Sequence, residues 1–179
     1  ILFGLLISFV TIIIFLILSV RIVISFIKKK PFPKKLLLAM LFGVVLVTSI
    51  YVYKVYFFTF DDIDKEFIQH GPGPILSPTE EFTANAYYEP YGGAAGGVNV
   101  WVEITKHHEN DNKKLIYYSD ANDNILLDWA DEKTLFITNA GPYKHNSMKL
   151  DVETEIYHDR GLACRSWLMK DEYETCYQK

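Results

Sequence analysis

No aspartate or glutamate occurs before Asp61 in this 179-residue chain, although 22 acidic residues follow. The part before Thr59 instead carries seven basic residues, Arg21, Lys28, Lys29, Lys30, Lys34, Lys35 and Lys54, for a charge of +7. The remainder sets eleven basic residues against those 22 acidic ones, or −11, so the net charge of −4 hides two unlike halves. An acidic soluble part repels phosphate backbones, which excludes nucleic acid as a partner. Cysteine is nearly missing too: Cys164 and Cys176 are the only two. Their spacing, with no further thiol to help, excludes a CxxC redox pair and a cysteine-based zinc site. Ionisable residues are absent from the middle of two long apolar runs, whose serine and threonine hydroxyl groups away from the loop are Ser8, Thr11, Ser19, Thr48 and Ser49. That excludes a transporter, which needs charge at mid-depth to hold or relay its cargo.

The apolar runs themselves come first. Ile1 to Ile27 holds a single charge, Arg21, among Ile, Leu, Val and Phe. At 1.5 Å per residue such a helix spans roughly 40 Å, more than the ~30 Å hydrocarbon core. Its β-branched residues favour strand in water, but in lipid the backbone must satisfy its own hydrogen bonds, which forces helix. A cleaved signal peptide is the alternative; the run is too long for one and has no small-residue cleavage site. Leu36 to Phe58 is a second run, broken only by Lys54 and crowded at its far end by Tyr51, Tyr53, Tyr56, Phe57 and Phe58, as an interfacial aromatic belt would be. Between them stands KKKPFPKK, in which Pro31 and Pro33 stop a helix and five lysines stay out of lipid. The reading is a transmembrane hairpin over 1–58, with helices about 2–27 and 36–58. Short lysine-rich loops remain in the cytoplasm, so Lys28, Lys29, Lys30, Lys34 and Lys35 set the topology and place 59–179 outside. Since the chain opens on Ile1, a short N-terminal piece is expected before it.

Beyond the hairpin, 59–76 reads as a juxtamembrane linker with a possible helical turn in DDIDKEFIQ and a break at HGPGP. From Ser77 the apolar period becomes two, the strand signature. Phe82, Ala84, Ala86 and Tyr88 share a face, as do Val98, Val100, Val102 and Ile104. Leu115–Ser119 and Leu135–Thr138 are shorter runs. Leu150, Val152, Thr154 and Ile156 alternate cleanly with Asp151, Glu153 and Glu155. Turn chemistry at 91–97, 107–114, 120–124 and 139–146 separates these runs. They predict an all-β domain over 77–179, an antiparallel meander of about five to six strands with one wet acidic face. Trp167, Leu168, Tyr173 and Tyr177 in the tail are expected to cover the sheet. Cys164 and Cys176 either form one disulfide, which the outside location favours, or remain two buried thiols.

Chemical motifs are scarce. The glycines Gly92, Gly93, Gly96 and Gly97 join two strands, not a strand to a helix, so phosphate-loop fingerprints fail and a hairpin loop is expected. Tyr87, Tyr88, Tyr91 and Trp101 flank that loop and could form a partner-contact patch, or could simply be core and sheet-face packing. Asp120, Asn122, Asn124 and Asp131 echo calcium-loop spacing, but Ile125 replaces the obligatory glycine and an Asx-rich turn explains them equally. His107 and His108 are adjacent and point apart in a strand, while His145 and His158 are isolated. No serine lies in a nucleophile elbow. No cofactor, metal or catalytic residue is expected.

SPTEEFTANAYYEPYGGAAGGVNVWVEI, IYYSD, DWADEKTLFI and EIYHDRGLACRSWLMKDEYETCY together resemble a family of small, two-helix, membrane-anchored proteins of Gram-positive bacilli known only as a domain of unknown function. The resemblance implies a bacterial plasma-membrane setting and no assigned activity. SPTEEFTA and WADEKTLFI are also similar to strand starts in one β-propeller blade; a single blade cannot close a ring, which again points to a meander. The functional expectation is a binding or accessory module for an envelope protein or secreted peptide, immunity-like in one variant, and anchored in the lipid bilayer. A structural envelope protein and an envelope-acting enzyme are the alternatives. Binding predicts an exposed aromatic patch around Tyr91 and Trp101. Catalysis predicts a cleft with converging carboxylates of raised pKa, and a structural role predicts neither.

Overall fold

The computed structural model describes residues 2–29, 31–63, 65–107, 112–142 and 145–179. Lys30 and His108 lie outside them, as do parts of the turn segments 61–69, 107–114 and 139–146. The chain divides into two compact units, Ile1–Phe57 and Phe58–Lys179.

The first unit is a helical hairpin of α1 (Leu2–Lys28) and α2 (Lys34–Tyr56), both long and apolar enough to cross a membrane. Its polar side chains turn back on their own helix. Ser8 donates to the Gly4 carbonyl, Thr11 to Ile7 and Ser19 to Phe15, all within 2.9 Å, so these three hydroxyls are satisfied in an apolar setting. The helices approach most closely where Gly43 faces Thr11: a Cβ at Gly43 would lie 2.6 Å from the Thr11 Oγ1. Small residues permit such close packing where no hydrophobic drive exists between helices. Helix α2 takes Lys34 and Lys35 into its first turn and ends at Tyr56, two residues short of the expected Phe58. The reason is that Phe58 belongs to the second unit, where it packs against the core.

The second unit holds two sheets. The larger is built of seven strands, β1 (Gln69–His70), β2 (Ile75–Leu76), β3 (Phe82–Tyr91), β4 (Gly97–Lys106), β5 (Asn112–Asp120), β9 (Glu155–His158) and β10 (Thr175–Tyr177). The smaller is a meander of β6 (Asn124–Trp129), β7 (Thr134–Ala140) and β8 (Met148–Asp151). The spatial order of the larger sheet is β1-β3-β4-β5-β9-β10, with β2 also paired to β3. Hairpins β3–β4–β5 are antiparallel, but β9 runs parallel to both β5 and β10.

Period-two alternation gives the larger sheet two apolar faces. On the inner face lie Phe82, Ala84, Ala86, Val100, Val102 and Tyr117; Phe82 stacks on Trp129 of the smaller sheet, and Ile125, Leu127, Leu135, Ile137 and Leu150 complete this core. On the opposite face lie Tyr87, Trp101, Tyr118 and His158. Phe58 and Phe60 cover it from the N-terminal side, and Ala163 and Met169 from the tail.

Three expectations change. The stretch 59–76 is no mere linker: Phe60 and Ile63 are core residues, and β1 and β2 shield the edge of β3, with Gly71 and Pro72 bonded to Ala86 between them. The clean alternation of 150–157 is not one strand. The Asp151 carboxylate accepts the backbone N–H groups of Glu153 and Thr154, an Asx turn that ends β8 and sends β9 into the other sheet. In the tail, Ala163 and Met169 are the buried apolar residues, while Trp167 and Leu168 are more than half exposed.

Candidate functional site

The four aromatics beside the glycine loop do not form one patch. Trp101 is only 2% exposed and stacks on Tyr87 at 5.8 Å. Tyr88 points to the inner face by strand alternation, which leaves Tyr91, at 40% exposure, alone at the end of β3. Gly92 and Gly93 adopt positive φ in the turn between β3 and β4. Cys164 and Cys176 are joined as a disulfide with Cα atoms 5.4 Å apart, linking α3 (Leu162–Arg165) to β10. Lys28 ends α1, Lys29 follows it with φ of 50°, and Lys34 and Lys35 open α2.

The calcium-like residues are otherwise engaged. Asn122 is bonded through backbone and side chain to Asn139, and Asp131 caps the N–H groups of Lys133 and Thr134. Asn139 in turn reaches Tyr117 and the Asp120 carbonyl, and Asn146 reaches Ser119. This buried network is well satisfied and ties the two sheets together. Burial also pushes the Tyr117 phenol up to about 12. Among the described residues no group of three or more His, Cys, Asp or Glu side chains could hold a metal ion.

The concave feature lies on the face opposite the smaller sheet. A cleft of about 710 Å³ is walled by Thr59, Phe60, Asp61 and Lys65, by Trp101 and Glu103 of β4, by 112–115 of β5, and by Met169 and Glu172 of the tail. A β-bulge builds one wall. Val102 pairs with Tyr117 but Glu103 pairs with Leu115, so Ile116 is the extra residue. Without that insertion Lys113 and Leu115 would point to the inner face; with it they join Glu103 on the cleft side.

Charges in the cleft are mostly paired. Lys113 contacts Glu103 at 3.0 Å, Lys65 contacts Asp61 at 3.8 Å, and Lys114 donates to the Glu153 carbonyl at 2.6 Å. Burial lowers the Lys114 pKa, against the pull of Glu172, Asp151 and Glu153. Among the described residues Glu172 has neither a hydrogen bond nor an ion pair at its carboxylate. Desolvation raises its pKa, Lys114 opposes the rise and Asp61 adds to it. One unpaired carboxylate in a walled cleft can hold a cation; it does not make the pair of convergent carboxylates that acid/base catalysis uses. Neither the cleft nor Glu172 shows in the sequence, because the bulge and the folded-back tail that create it leave no periodic trace.

A second group of polar atoms is buried beside Phe58. Both ring nitrogens of His158 and the carboxylate oxygen Oδ1 of Asp159 lack hydrogen-bond partners, as does Asn99 Oδ1. His158 is 1% exposed and lies among the rings of Phe58, Phe60 and Tyr118 at 5.0–6.2 Å. Burial first, then the Arg160 and Arg165 cations, press its pKa down to about 4.

A pair of membrane-length helices followed by a two-sheet β unit defines the class of this chain, a helical hairpin carrying a β domain. The chain belongs to DUF5412, a family of unknown function, whose model matches residues 32–161. The match takes in α2 and β1 to β9, and ends before α3 and the disulfide. No curated protein and no solved structure matches it.

Proposed function

We propose that the chain is a membrane-anchored binding module whose β domain stands on the outer face of a bacterial plasma membrane and takes a cationic group of an envelope protein or secreted peptide in the Glu172 cleft. The carboxylate of Glu172, without an ion pair beside the paired charges of the cleft wall, carries this reading. A cation arriving there would offset a desolvation that Lys114 opposes only in part. The net charge of −11 after Thr59 adds long-range attraction for a basic partner. Orientation follows from the lysine loop between α1 and α2. An enzyme reading is weaker, because the other cleft carboxylates, Asp61 and Glu103, are paired with Lys65 and Lys113.

A photocrosslinking residue at Asn112, on the cleft wall, tests this in the full-length chain in its membrane. The expected result is a crosslink to one basic species that disappears in Glu172→Lys and weakens in Glu172→Gln. Equal crosslinking in all three chains would remove the cleft as the binding site.

A further inference from the structure

Trp167 and Leu168 are 56% and 54% exposed, side by side, between a buried Ser166 and a buried Met169. Their neighbours turn the other way. Ser166 is fully buried and donates to the carbonyl of Phe58 at 2.6 Å, and Met169 is 1% exposed. The backbone is thus pinned on both sides of the pair, and the two apolar side chains are held outward. The Ser166 hydroxyl oxygen also accepts the backbone N–H of Leu168 at 3.2 Å, which fixes the turn.

The residue to which this turn is tied is what gives it a partner. Phe58 stands two residues past Tyr56, the last residue of α2. Two residues reach at most about 7 Å, so Phe58 is at the mouth of the apolar helix whatever attitude the β unit takes on its anchor. Trp167 is joined to that point through Ser166. Arg165 and Lys170, both exposed, flank the pair with positive charge, in a domain that is otherwise acidic. Tryptophan with leucine beside arginine and lysine is the side-chain mixture that favours the headgroup boundary of a bilayer.

We infer that the Arg165–Lys170 turn is a lipid contact: Trp167 and Leu168 enter the headgroup boundary next to the exit of α2, and Arg165 and Lys170 meet anionic headgroups. This rests on α1 and α2 spanning the membrane. The turn gives the β unit a second foothold beside its covalent tether, which limits its tumbling.

The test uses the full chain in vesicles of phosphatidylcholine and phosphatidylglycerol, with bromine placed shallow or deep on the acyl chains. Alkaline carbonate extraction first reports whether the chain is integral. Tryptophan emission then reports contact, since Trp101 and Trp129 lie within the β unit. Shallow bromine is expected to quench the wild type more than deep bromine, and Trp167→Phe is expected to lose that quenching. Wild-type emission insensitive to bromine, or quenching unchanged in Trp167→Phe, would overturn the lipid contact while leaving the integral anchor intact. A chain released by carbonate would overturn the anchor and this inference together.

Discussion

His158 places a titratable ring where water cannot reach it, with no hydrogen bond for either nitrogen. Its folded pKa of about 4 lies below the ordinary 6.5, so the folded chain prefers the neutral ring. Above pH 6.5 the ring is neutral in both states and its contribution is fully present. As pH falls from 6.5 towards 4, the unfolded chain takes up a proton that the folded chain refuses, and stability drops by about 3 kcal/mol in all. About 2 kcal/mol of that loss falls between pH 7 and pH 5. His158→Leu removes the proton uptake and the stranded nitrogens together, so it should be neutral or stabilising at pH 7 and flatten this limb. Urea unfolding of the full chain in detergent at the two pH values measures both effects. An equal pH slope in wild type and His158→Leu would show that another group controls the acid side. From the sequence His158 was an isolated histidine at the end of a strand. Its burial depends on Phe58, read as the last residue of a helix, and on Phe60, from the segment read as linker.

At the scale of elements the tail is the least conventional part. Helix α3 is one turn long, and β10 has three residues and pairs in parallel with β9 alone. The bridge between Cys164 and Cys176, twelve positions apart, closes this segment on itself. A loop of that length should add about 3 kcal/mol by restricting the unfolded chain. Chemical unfolding of the Cys164→Ser, Cys176→Ser double variant should show that loss, and a reducing agent should shift the wild-type midpoint but not the variant's. A wild-type midpoint indifferent to reductant would deny the bridge a role in stability. Strands β3 and β4 were legible because ten residues of steady alternation outweigh any local exception. The 150–157 run was misread for a local reason: alternation reports which side chains are inward, and Leu150, Val152 and Ile156 are all buried, but it does not report which sheet receives them. The Asp151 side chain made that choice through two backbone N–H groups. The bulge at Ile116 was hidden in the same way, since one inserted residue inside LIYY leaves no polar break in that stretch.

For the molecule as a whole, charge segregation is the dominant property. Its consequence for orientation can be read by replacing Lys28, Lys29, Lys30, Lys34 and Lys35 with glutamine. Protease added to intact cells should degrade the β domain of the wild type fully, and of the variant only in part, as orientation becomes mixed. Complete protection of the wild-type domain would reverse the proposed topology. The helical hairpin followed by a β domain was readable in advance because both rest on local rules: long apolar runs with a lysine-and-proline break, and period-two alternation bounded by turn residues. Whether residues distant in sequence would share a surface obeyed no local rule. Trp101, open in the sequence to partner contact or to packing, is core, because the 58–63 segment and the tail fold over it. Glu172 looked like one acid among many and stands alone in a cleft, because a bulge turned Lys113 towards Glu103 and the tail brought Glu172 alongside. Periodicity specifies the faces of each strand, and long-range packing alone specifies what each face meets.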